Sequence, residues 1–215
     1  MGGTRSVKRQ QTAAEEVANT LSHGAAFLAA LVALPFFVRV GREAGGAGAV
    51  VGMTVFAVSM VALYLTSALY HAWPVGPVKR TLRLVDHAAI FLLIAGTYTP
   101  FTLGVLRGAW GWTIFAIVWS LCLAGILVEV LGNLRYSRVS LVLYIASGWT
   151  ILVALRPLWL ATPVPGVVLL FAGGAAYTGG VVFYKLDRPY FHVLWHVCVV
   201  AGTACHAAAV YWYAM

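Results

Sequence analysis

A chain of 215 residues, 62% hydrophobic and only 9% charged, is no soluble globular domain, in which about a quarter of residues carry charge. It reads as an integral membrane protein, long enough for one compact bundle. The formal net charge of +8 does not make nucleic acid a partner, because the basic residues are scattered between apolar runs and form no patch. Membrane topology accounts for them, and membrane lipids are the expected partners.

In chain order, residues 1–20 are polar, with no apolar core and no small-residue cleavage site, so they read as a short cytoplasmic segment. Residues 21–215 read as a seven-transmembrane domain. Its apolar stretches fall at about 21–39, 47–70, 84–105, 110–131, 139–156, 164–184 and 190–213, each near the ~20 residues a crossing helix needs. The fifth is the shortest. The breaks carry turn or charge signals, such as "HAWPVGPVKR" and "RPLWLATPVPG". The fold class is therefore all-α, a seven-helix transmembrane bundle.

With the N-terminus in the cytoplasm, the inner segments hold Arg5, Lys8, Arg9, Lys79, Arg80, Arg83, Arg135, Arg138, Lys185 and Arg188. The outer segments hold Arg39, Arg42, Arg107 and Arg156. This excess predicts N-terminus inside and C-terminus outside, in the plasma (inner) membrane. Cys122, Cys198 and Cys205 sit in apolar runs without a CxxC pair and read as small buried hydrophobes. Gly48 and Gly52 match the small-xxx-small pattern of closely packed membrane helices.

Against this apolar background the histidines stand out, since an imidazole buried without a partner is costly. His192 and His196 are four apart at the cytoplasmic start of span seven, so they share a helix face. Ser67 and His71 are a similar pair at the cytoplasmic end of span two, and Asp86 and His87 begin span three. A single histidine at a helix end is most simply a structural group. Three helices bringing Ser67, His71, Asp86, His192 and His196 to one depth make a functional site the better account.

Three imidazoles from two helices suit Zn²⁺, with His71, His192 and His196 as ligands and a fourth position left for water. Asp86 would orient a ligand or hold the metal's water, and Ser67 would hydrogen-bond nearby. Haem fits less well, because an i, i+4 pair aims both rings the same way. His206 lies on nearly the same face as His192 but about 15 Å along the helix from His196. It cannot share the ion and reads as a buried hydrogen-bonding group. Glu16, Asn19 and His23 fall on one face of the first helix. They either brace the site or form an ordinary polar helix start capped by Thr12.

Four stretches carry a resemblance: "EEVANTLSH", "TSALYHAWP", "LRLVDHAAIFLLIAGTYTPF" and "HVLWHVCVVAGTACH". In this order they resemble the hemolysin III family, the bacterial branch of the progestin and adipoQ receptor superfamily. The resemblance runs from about residue 15 to the C-terminus and implies seven helices with a cytoplasmic N-terminus. It implies a zinc ion held by His71, His192 and His196, with Ser67 and Asp86 matching a serine and an aspartate shared by the wider group. In those relatives the site is associated with hydrolysis of a lipid amide such as ceramide. This chain lacks the long N-terminal domain of the eukaryotic receptors.

Three functions stand at this point. The first is a zinc-dependent hydrolase acting on a lipid amide or ester, with Asp86 and Ser67 as catalytic groups. The second is a membrane sensor or regulator with a structural zinc. The third is a pore-forming protein, which the continuously apolar spans support poorly.

Overall fold

The computed structural model describes residues 9–132, 137–186 and 188–215. The described residues are helical, without strands, in the order α1 (Ala13–Ala44), α2 (Ala47–Ala72), α3 (Pro77–Leu103), α4 (Ala109–Gly132), α5 (Ser137–Gly148), α6 (Leu155–Ala161), α7 (Val164–Lys185) and α8 (Phe191–Tyr213). A 3-10 segment, Thr150–Ala154, links α5 to α6. Together Arg138–Ala161 make one span, so seven helical stretches are long and apolar enough to cross a membrane. Of the basic residues in the charge count, Arg5, Lys8 and Arg135 lie outside the described residues.

Several boundaries differ from the hydropathy reading: α1 runs on to Ala44, and α3 begins at Pro77, ahead of the apolar stretch, with the proline in its first turn. Helix α1 begins at Ala13, well before the apolar stretch, because Thr12 caps it. The Thr12 hydroxyl accepts from the Glu15 N–H, and the Glu15 carboxylate accepts from the Thr12 N–H, a capping box that satisfies two otherwise orphaned donors. The polar "EEVANT" is thus the first turns of a spanning helix, and Glu15 and Asn19 are buried in it. The fifth span runs past residue 156 to Ala161 through the 3-10 segment. Pro157 falls in the first turn of α6, where a missing N–H costs no helix hydrogen bond.

The helices pack as sequence neighbours, α1 on α2, α2 on α3, α3 on α4 and α7 on α8, and α8 also lies against α1. Helices α2 and α3 are the most buried spans, and their Met53, Phe56, Ala57 and Phe91 are fully enclosed. Close packing, not water exclusion, holds apolar helices together in lipid. At Gly52 an added Cβ would lie 2.8 Å from the Pro100 Cα, and at Gly48 it would lie 3.3 Å from the Leu103 oxygen. The small-xxx-small pair is therefore where α2 meets α3. Trp110, Trp112, Trp159 and Trp212 are exposed at one end of the bundle, as an aromatic belt at the membrane–water boundary requires. The histidine pair of α8 lies toward the other end.

Candidate metal centre

The site starts from the way α1 grips the beginning of α8. Tyr190 caps α8 in the left-handed conformation, φ 61°, and its N–H donates to the Glu15 carboxylate at 2.8 Å. Arg9 gives the same carboxylate two hydrogen bonds. A buried carboxylate so fully bonded fixes the entry to α8. His192 and His196 follow on the first two turns, and His71 comes from the last turn of α2.

The three rings close on one point. Their centroids lie 5.0 Å apart for His71–His192, 5.0 Å for His71–His196 and 4.7 Å for His192–His196. One nitrogen from each lies within 4.8 Å of the other two. Helix α1 engages the outer nitrogens of two of them. His71 Nδ1 donates to Glu16 Oε2 at 2.7 Å, and Lys79 pairs with the other Glu16 oxygen at 3.0 Å. The Ser22 hydroxyl spends its hydrogen on the Asn19 carbonyl at 2.8 Å. It therefore accepts from His196 Nδ1, 3.0 Å away. Both rings are held in the tautomer that leaves Nε2 as a lone pair. His71 Nε2 is buried and has no hydrogen-bond partner among the described residues. Neutral imidazole nitrogens fixed this way fit a zinc ion.

Beside the histidines, His23 Nδ1 and the Ser67 hydroxyl are hydrogen-bonded at 2.7 Å, and Ser67 and Asp86 both line the neighbouring cavity. The His23 ring stacks on His196, 3.6 Å between centroids and 9° from parallel. Ser67, Asp86, His192 and His196 line a cavity of about 140 Å³ whose remaining wall is mostly apolar, from Leu93, Ile94, Ile145 and Val181 among others. An arrangement of this kind can hold a cation, carry a proton on Asp86 and receive a hydrocarbon chain.

The family described as Haemolysin-III related matches residues 11–207. The chain belongs to that family. It is 40% identical over 203 residues to the Hemolysin-3 homolog of Bacillus subtilis (strain 168), a match covering 94% of this chain and 95% of the relative. It is 40% identical over 202 residues to Hemolysin-3 of Bacillus cereus, covering 94% and 92%. Monocyte to macrophage differentiation factor of Homo sapiens is 24% identical over 213 residues, covering 94% of this chain and 85% of the relative. This last similarity links the family to the progestin and adipoQ receptor superfamily. No solved structure matches the chain.

Within this family member, the structure sorts the α1 residues. Glu16 and His23 brace the centre, whereas Asn19 turns its side chain to Gln11 and offers only its carbonyl to Ser22. Ser22 itself was not foreseen, although its place beside His23 on a polar face was the available signal. His206 sits at the far end of the cavity, where its Nε2 donates to the Leu170 carbonyl at 3.0 Å. Glu129 was also missed. It is the sole charged residue of α4 and is 1% exposed, and an ionisable group within an apolar span is itself a signal.

Proposed function

We propose that this haemolysin III family member is a zinc-dependent hydrolase that cleaves an amide or ester bond of a lipid within the plasma membrane, with its N-terminus in the cytoplasm. The observation that carries the reading is the convergence of three ring nitrogens within 4.8 Å at the polar end of an apolar cavity shared with Ser67 and Asp86. Zinc bound there supplies Lewis-acid polarisation and makes water a nucleophile at neutral pH. The protein's own groups do the rest. Asp86 takes the proton of the attacking water, Ser67 holds that carboxylate in place, and His23 holds Ser67. The apolar wall takes the acyl chain and keeps bulk water away.

Metal content and lipid hydrolysis of the detergent-purified protein test this. The expected result is about one zinc per chain, lost in His71→Ala, His192→Ala and His196→Ala together with cleavage. Asp86→Ala is expected to keep the zinc and lose cleavage. Zinc that binds while Asp86→Ala remains fully functional would move the reading to a regulator with a structural metal.

A further inference from the structure

A second polar cluster lies between α3, α4 and α5, and its His87 and Tyr144 line the same cavity as His192 and His196. The Glu129 carboxylate is completely enclosed in an otherwise apolar helix. Its ionic partner among the described residues is His87, whose Nδ1 is 3.4 Å from Glu129 Oε1. The Tyr144 hydroxyl donates to the His87 carbonyl at 2.9 Å and approaches the same carboxylate oxygen at 3.4 Å. Ser140 also interacts with this carboxylate. His87 reaches the cavity directly beside Asp86. Among the described residues, the titratable and charged groups around the pair are Asp86 and Arg83 on α3, Tyr144 on α5, Tyr184 on α7 and His71 on α2.

An isolated buried carboxylate is costly, and pairing is what makes it tolerable. A neutral imidazole beside Glu129 leaves the pair with a net negative charge, whereas an imidazolium neutralises it. With Nδ1–H committed to Glu129, the second N–H of that imidazolium, on Nε2, is the one available to the cavity. Two proton carriers then face one space.

We infer that His87 is the general acid that protonates the leaving group, and that Glu129 is the residue positioning it. This rests on the hydrolase reading. In amide cleavage the attacking water loses a proton to Asp86 as its oxygen bonds to the carbonyl carbon. The C–N bond then breaks, and the departing nitrogen takes the Nε2 proton of His87. Transfer of the Asp86 proton to His87 through cavity water restores both groups. Water and amide are consumed, acid and amine are formed, and no proton is left over.

The test compares two substrates with one acyl chain: a lipid amide, whose nitrogen must be protonated to leave, and the corresponding p-nitrophenyl ester, whose phenolate leaves unaided. In His87→Gln the ratio of amide to ester cleavage is expected to fall by roughly 10²–10⁴-fold, with zinc content unchanged. Glu129→Gln should lower the same ratio less. A readout independent of turnover is ¹⁵N NMR of histidine-labelled, metal-free protein. There the His87 Nδ1 signal is expected to shift on Glu129→Gln while the ligand histidines stay put. Equal losses on both substrates would make His87 structural and overturn the proposal, as would an undiminished amide rate. If the wild type cleaves neither substrate, the hydrolase reading falls and this acid with it. Cleavage by the wild type that His87→Gln leaves intact removes the acid alone.

Discussion

Glu16 is expected to govern metal affinity without touching the metal. Its carboxylate receives the His71 Nδ1–H at 2.7 Å and the Lys79 ammonium at 3.0 Å. It thereby holds the ring of a candidate ligand that is otherwise buried with a bare Nε2. Removing an outer partner of a ligating histidine typically lowers metal affinity by about 10- to 100-fold, or roughly 1.4 to 2.7 kcal/mol. The structure divides that range between two variants. In Glu16→Gln the amide oxygen can still accept from His71, but the charge facing the imidazole and Lys79 is gone, so the loss should lie near tenfold. Glu16→Ala removes the acceptor as well, freeing the ring to turn and leaving Lys79 to the Trp73 and His71 carbonyls. Its loss should approach a hundredfold. Competition with a chelator of known zinc affinity, on purified protein, measures both. Wild-type affinity in Glu16→Ala would refute the role given to this bond and, with it, the orientation of His71.

Two further substitutions probe the scaffold. Gly173→Ala would place a methyl group 2.3 Å from the His206 Cδ2 and 2.4 Å from its Nε2. The ring would have to leave the Leu170 carbonyl, so a loss of about 1–3 kcal/mol is expected; an unchanged denaturation midpoint in detergent would refute this account of the α7–α8 contact. Thr12→Ala removes the capping hydroxyl and should cost about 1 kcal/mol, seen as faster amide hydrogen exchange at Glu15 and Glu16. Equal protection in both proteins would show that the Tyr190 and Arg9 contacts hold this turn unaided.

Much of the molecule follows from local chemistry alone. Long apolar runs in lipid must satisfy their backbone groups internally, so they form helices, and the seven spans could be located from hydropathy. Helical periodicity likewise put His192 with His196, and Ser67 with His71, on shared faces. Hydropathy could not show that the first span begins at Ala13, because a capping box and tertiary partners, not apolar side chains, stabilise its polar turns.

Tertiary structure decided what those faces meet. The rotation and spacing of packed helices, set where Gly48 and Gly52 admit α3 and where Gly173 admits His206, are properties of whole surfaces and not of any one segment. This packing places Glu16 on His71, Ser22 on His196 and His23 on Ser67. It also brings Glu129 to His87 across two helices 42 residues apart in the chain. Residue types and periodicity named the candidate ligands; only the contact of α1 with α2 and α8 fixed which nitrogen of His71 and His196 each presents.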